Sequence, residues 1–217
     1  MPNKTKAKVS MAGFQYDGFF GDPILDNQRL MPLMQPLYEA LKAWNIRPQD
    51  VKYKHPAAAN ESSVAFEIAL GRLVLNVSHT GLTLVVINAD WSQAEMVTQL
   101  LEDCWKAVEG ALGIKASRHD AQIGITVVPE GKSPKDITKS FAVPWRLRPG
   151  DESEMCGVII YTAHGSFLVD RAVANPQAIF AKIVHRFDGQ TAFSDMLKQL
   201  YEDELWLVST LELELEQ

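Results

Sequence analysis

A chain of 217 residues is long enough for one large domain or two small ones, with a core that needs no disulfides or metals. Apolar residues make up 47% and charged residues 22%, which excludes extended disorder. The formal charge of −6 weighs against a nucleic-acid partner, whose affinity comes mainly from cations meeting phosphates.

Val9 to Tyr16 reads as a first strand. A turn region with Asp17, Gly18, Gly21, Asp22 and Pro23 follows it. Leu33, Leu37, Leu41 and Trp44 fall on one helical face, and Pro36 suits the first turn of a helix over about 36–45. Residues 46–62, with Pro48, Pro56 and three successive alanines, read as a loop. Val64 to Leu70 and Leu73 to Val77 alternate apolar and polar, as half-buried strands do. Ser78-His79-Thr80-Gly81 is a hairpin turn, and the return strand Leu82 to Ile87 is apolar enough to be central.

A helix is predicted over 92–112, with Ser92 and Glu95 as a capping box, a broad apolar stripe from Met96 to Val108, and Gly113 as its stop. Ile123 to Val127 is a strand. Ser133-Pro134 with Asp136 opens a short helix. Residues 144–154 are the candidate linker. Val158 to Tyr161, a turn at Ala163-His164-Gly165, and Phe167 to Val173 form a second hairpin. Asn175-Pro176 is expected to open a helix bearing Ile179, Phe180, Ile183, Val184 and Phe187. Phe193 to Tyr201 reads as a short helix, and residues 205–216 as an alternating strand.

Gly81 and Gly165 lie 84 residues apart. The stripes Met96–Cys104 and Ile179–Phe187 match at a shift of 83. The expected fold is α+β: mainly antiparallel sheet with helices packed on one face, built from two β-hairpin–helix–strand units. The N-terminal half has the βαββαβ order of ferredoxin-like folds. The expected division is 1–131 and 132–217, or one continuous two-lobed domain.

Chemical signatures are sparse. No P-loop, dinucleotide fingerprint or nucleophile elbow is present. His79 and His164 sit at matching turns, and are candidate ligand-binding residues if the halves pack symmetrically. Trp145, between Pro144 and Arg146, is a candidate anchor for a partner. Asp17 and Asp22 line the early Gly-rich turn and are weak ligand-binding candidates, because their spacing does not fit a calcium loop. His119 and Asp120, adjacent on a strand, point to opposite faces and make no dyad. Cys104 and Cys156 read as buried free thiols. No metal or cofactor is expected.

Residues 1–8 are polar with no apolar stretch after them, and no run reaches membrane-spanning length, so a cytoplasmic location is expected. The expected function is a non-catalytic binding or assembly protein, acting on a protein partner or as a homodimer through sheet edges or a cleft between halves. The alternative is an enzyme with an acid/histidine cleft.

Overall fold

The computed structural model describes residues 4–24, 27–54, 63–139 and 157–216. It shows a mixed helix and sheet fold with mainly antiparallel pairing and four helices. The strands are β1 (Thr5–Phe20), β2 (Val51–Lys54), β3 (Ser63–Ile68), β4 (Leu73–Ser78), β5 (Gly81–Ile87), β6 (Ala116–Pro129), β7 (Val158–Thr162), β8 (Gly165–Arg171), β9 (Ile179–Asp188) and β10 (Leu213–Glu216). The helices are α1 (Asn27–Leu41), α2 (Ala94–Leu112), α3 (Pro134–Thr138) and α4 (Phe193–Thr210). None of the described helices is long and apolar enough to cross a membrane.

The chain forms two compact units. The first holds residues 1–12, 122–185 and 199–217, and the second holds 13–121 and 186–198. Strands β1, β6 and β9 and helix α4 each contribute residues to both.

In the second unit the strands run in the order β2-β3-β4-β5-β1-β6. Strand β4 buries alternate side chains, as pleated strands with one covered face do, and β3 buries Val64, Phe66 and Ile68 in the same way, with Ala65 buried on its other face as well. Central β5 alternates too: Leu82, Leu84 and Val86 are buried, while Val85 is half-buried rather than enclosed on both faces. Buried Leu33, Leu37 and Leu41 on α1 recur every four residues. That stripe carries α1 upstream through Pro32 and Pro36, so the helix starts earlier than the prolines suggested. The predicted loop 46–62 contains β2, which pairs with β3 from Val51↔Phe66 to Lys54↔Ser63. Four residues among prolines are too few for alternation to stand out.

Helix α2 buries Val97, Leu100, Leu101, Cys104, Trp105 and Val108, and Gly113 ends it at φ +67°. Its entry differs from the predicted box. Asp90 accepts a bond from Ser92 N at 2.7 Å, ahead of a 3₁₀ turn over Trp91–Gln93.

In the first unit the order is β10-β1-β6-β9-β8-β7. Two expectations fail here. Residues 179–188 are strand β9, not helix: Ile179, Ala181 and Ile183 are buried in turn, a period of two. The same residues also fit a helical stripe, and pairing with β8 decides between the periods. Residues 205–210 continue α4, which buries Leu200, Glu204 and Leu207 at helical spacing, with buried Leu211 just past its end. Only Leu213–Glu216 is strand, and it pairs with β1 in parallel from Thr5↔Leu213. The shift-83 match of helix onto helix is therefore overturned. The predicted linker and Trp145 lie outside the described residues, and so does Cys156.

Candidate functional site

The second unit holds a buried chain of polar groups on β1, α2 and β6. Trp105 Nε1 donates to Tyr16 Oη at 2.6 Å. Tyr16 Oη lies 2.7 Å from His119 Nδ1, and His119 Nε2 lies 3.2 Å from Gly189 O. The donors dictate the order. An indole N–H only donates, so the Tyr16 oxygen accepts it and its own proton goes to His119 Nδ1. The proton on His119 then sits on Nε2 and points at the Gly189 carbonyl.

Burial favours the neutral forms. It pushes the His119 pKa down and the Tyr16 pKa up. Phe193 stands edge-on to both rings, at 5.8 Å from Tyr16 and 5.4 Å from His119. Gly18 makes room for this packing: a Cβ there would lie 2.1 Å from Tyr16 Oη and 2.5 Å from the Trp105 ring.

An open cleft of about 300 Å³ reaches the outer side of this cluster, lined in part by Trp105, His119, Gly189 and Phe193, with Glu109 and Lys115 paired at 3.3 Å. Both His119 nitrogens are engaged, so the imidazole offers no spare lone pair to act as a base. Asp120 on the opposite strand face lies 3.0 Å from Arg118 and 3.6 Å from Arg186, and Arg118 covers the Phe19 ring.

The structure separates the sequence-derived candidates. Asp17 accepts bonds from Thr83 Oγ1 at 2.7 Å and Gln15 Nε2 at 2.8 Å, which ties β1 to β5. Asp22 is exposed just past β1. His79 is buried, with Nδ1 against the Ile24 carbonyl. His164 is exposed and stacks on His185 at 6.1 Å, and His185 Nδ1 lies 2.9 Å from Asp203.

The two turn histidines also occupy different turn positions. Ser78 and Thr162 play the same part: each hydroxyl bonds the following glycine carbonyl and takes the amide of the second turn residue, Thr80 or His164. His79 thus corresponds to Ala163, and His164 to Thr80. Among the described residues no group of three or more His, Cys, Asp or Glu could hold a metal ion.

No family model matches the chain, and no curated protein does. The surfaces themselves are therefore the guide to function.

The first unit carries an exposed apolar strand. Strand β7 reads Val-Ile-Ile-Tyr-Thr, with no charge and no proline. Ile159 is 51%, Ile160 47% and Tyr161 79% exposed. It ends the strand order, paired only with β8 among the described residues. Ile160 pairs with Phe167, whose ring meets Trp206 of α4 at 4.8 Å, and Trp206 and neighbouring Leu205 are half-exposed. The other outer strands are charged. Strand β2 carries Lys52, bonded to Glu67, and Lys54; β10 carries Glu214 and Glu216, the latter paired with Lys6. Charged residues on an outer strand discourage stray pairing, and β7 lacks them.

Proposed function

We propose that this chain is a protein-binding or assembly module that accepts an extra strand on β7. The uncharged β7 edge, exposed on both faces beside Trp206, carries this reading. Strand addition satisfies an outer row of backbone groups and takes specificity from alternate side chains. Exposed aromatic and branched residues at the same place supply apolar area.

A comparison of hairpins supports it. The turns 78–81 and 162–165 share their hydroxyl bonds, and Gly81 and Gly165 each lie against a carbonyl of the next strand, where a Cβ would come within 1.9 and 1.8 Å. We read these as one hairpin design used twice. In the second unit β3 covers the outer side of β4. The equivalent strand β7 has no such cover among the described residues, and the partner supplies it.

The test is site-specific photo-crosslinking in cells, with benzoylphenylalanine at Tyr161 and, as a control, at Leu70, which is 97% exposed in the second unit. A discrete adduct at 161, absent at 70 and lost when Ile159→Lys is added, is the expected result. Equal labelling at both positions, or none at 161, overturns the reading.

A further inference from the structure

We propose that the strand added to β7 is β7 of a second copy of this chain, running antiparallel about a two-fold axis at Ile160. This rests on the strand-binding reading above and names its partner.

Hydrogen-bond phase sets the register. Thr162 and Gly165 close a two-residue turn, and such closing pairs exchange both backbone bonds. Residues 158, 160 and 162 therefore direct their N–H and C=O groups to β8. Ile159 and Tyr161 direct theirs outward.

One symmetric register lets both outward-directed residues of each copy find partners within β7 itself. Ile159 bonds Tyr161 of the second copy, Tyr161 bonds Ile159 of it, and the two Ile160 residues face each other as a closely spaced unbonded pair. A two-fold contact needs a surface complementary to itself, and this strand provides one. Branched Ile159 meets aromatic Tyr161 twice, a favourable cross-strand pair. On the other face Ile160 joins Phe167 and Trp206 to the same residues of the second copy.

Charge fits as well. No ionised side chain lies on β7, so a chain of net charge −6 meets itself there without like charges opposed. The register sets Gly157 opposite Ala163 of the second copy. The Asp170 carboxylate closes over Gly157, where a Cβ would stand 2.8 Å from it.

The area suffices for a modest dimer. Ile159, Ile160, Leu205 and Trp206 expose about half their surface each and Tyr161 about four-fifths, so at roughly 200 Å² for a large side chain two copies bury at most about 1,100 Å². That is just above the ~1,000 Å² of a specific interface, so dissociation in the micromolar range is expected.

The experiment is sedimentation of the full chain from about 1 µM to about 1 mM, a span chosen to bracket that affinity. The mass should rise with concentration from 24.2 kDa toward twice that value. Ile159→Lys and Tyr161→Lys should each hold it at the monomer, with unchanged circular dichroism and, at the dilute end of the range, a melting temperature close to wild type. With Cys156 replaced by serine, Ile160→Cys should oxidise to a linked dimer faster than Ile159→Cys, because facing unbonded residues lie within disulfide reach.

A constant monomer mass, or a dimer indifferent to both lysines, overturns the proposal. A monomer in solution that still gives a lysine-sensitive adduct to another protein at Tyr161 overturns the second copy but leaves strand binding in place. A monomer with no such adduct overturns both.

Discussion

The Tyr16–His119 cluster of the second unit and the β7 edge of the first are opposites. The cluster is polar chemistry with every valence spent: Trp105, Tyr16, His119 and the Gly189 carbonyl each have a partner. The edge is apolar surface with its outer backbone groups unused among the described residues. Residue types that look reactive are here structural, and residue types that look like core are exposed. Polarity of a side chain does not mark a site; the balance of partners does.

That contrast predicts a graded series of effects. The largest belongs to Gly18→Ala. Its Cβ overlaps Tyr16 Oη and the Trp105 ring, so about 3 kcal/mol of stability should be lost, read by urea unfolding with a shifted Trp fluorescence maximum. An unfolding midpoint equal to wild type would show the cluster is loosely packed.

Tyr16→Phe comes next. It strands the Trp105 N–H and the His119 Nδ1 lone pair in a buried place, at about 2 kcal/mol. His119 should be replaced in parallel, since losing both members should cost less than the sum.

The third effect is one of pH. The native His119 pKa lies below its ordinary value because burial disfavours the imidazolium. Below about pH 6.5 the unfolded chain takes up this proton and the folded chain does not. Stability from His119 is therefore full above that pH and falls as pH drops through it toward the lower native pKa. Denaturation from pH 8 to pH 5 should show the decline, and His119→Gln should flatten it.

The smallest effect belongs to the open region. Ile159→Lys should change monomer stability by no more than about 0.5 kcal/mol, because Ile159 is already half exposed on an outer strand. A large destabilisation would mean that β7 is part of a closed core, and would erase the contrast.

Much of the fold was legible residue by residue. Alternation at 64–68 and 73–77, the stop at Gly113 and the Ser133 N-cap with Asp136 in the first turn are local devices, and the structure keeps them, while Leu70 falls in an exposed turn between the strands. Strand β9 and the second half of α4 were misread for one reason. Ile179, Phe180, Ile183 and Val184 satisfy both a helical and a strand period, and the leucines from Leu205 onward do too. Pairing with β8 decided the first, and burial of Leu200, Glu204 and Leu207 at helical spacing decided the second. The candidate sites were less legible. Tyr16 and His119 are separated by 103 positions, and no local pattern joins them.

By itself the sequence determined composition, the α+β character and the hairpin with its glycine, because these depend on neighbours in the chain. Tertiary structure alone decided which histidine is sealed, which aspartate ties strands, and which apolar strand stands at an edge. Each of these is a property of what lies across the sheet, and strand order is set by packing between residues far apart in the chain.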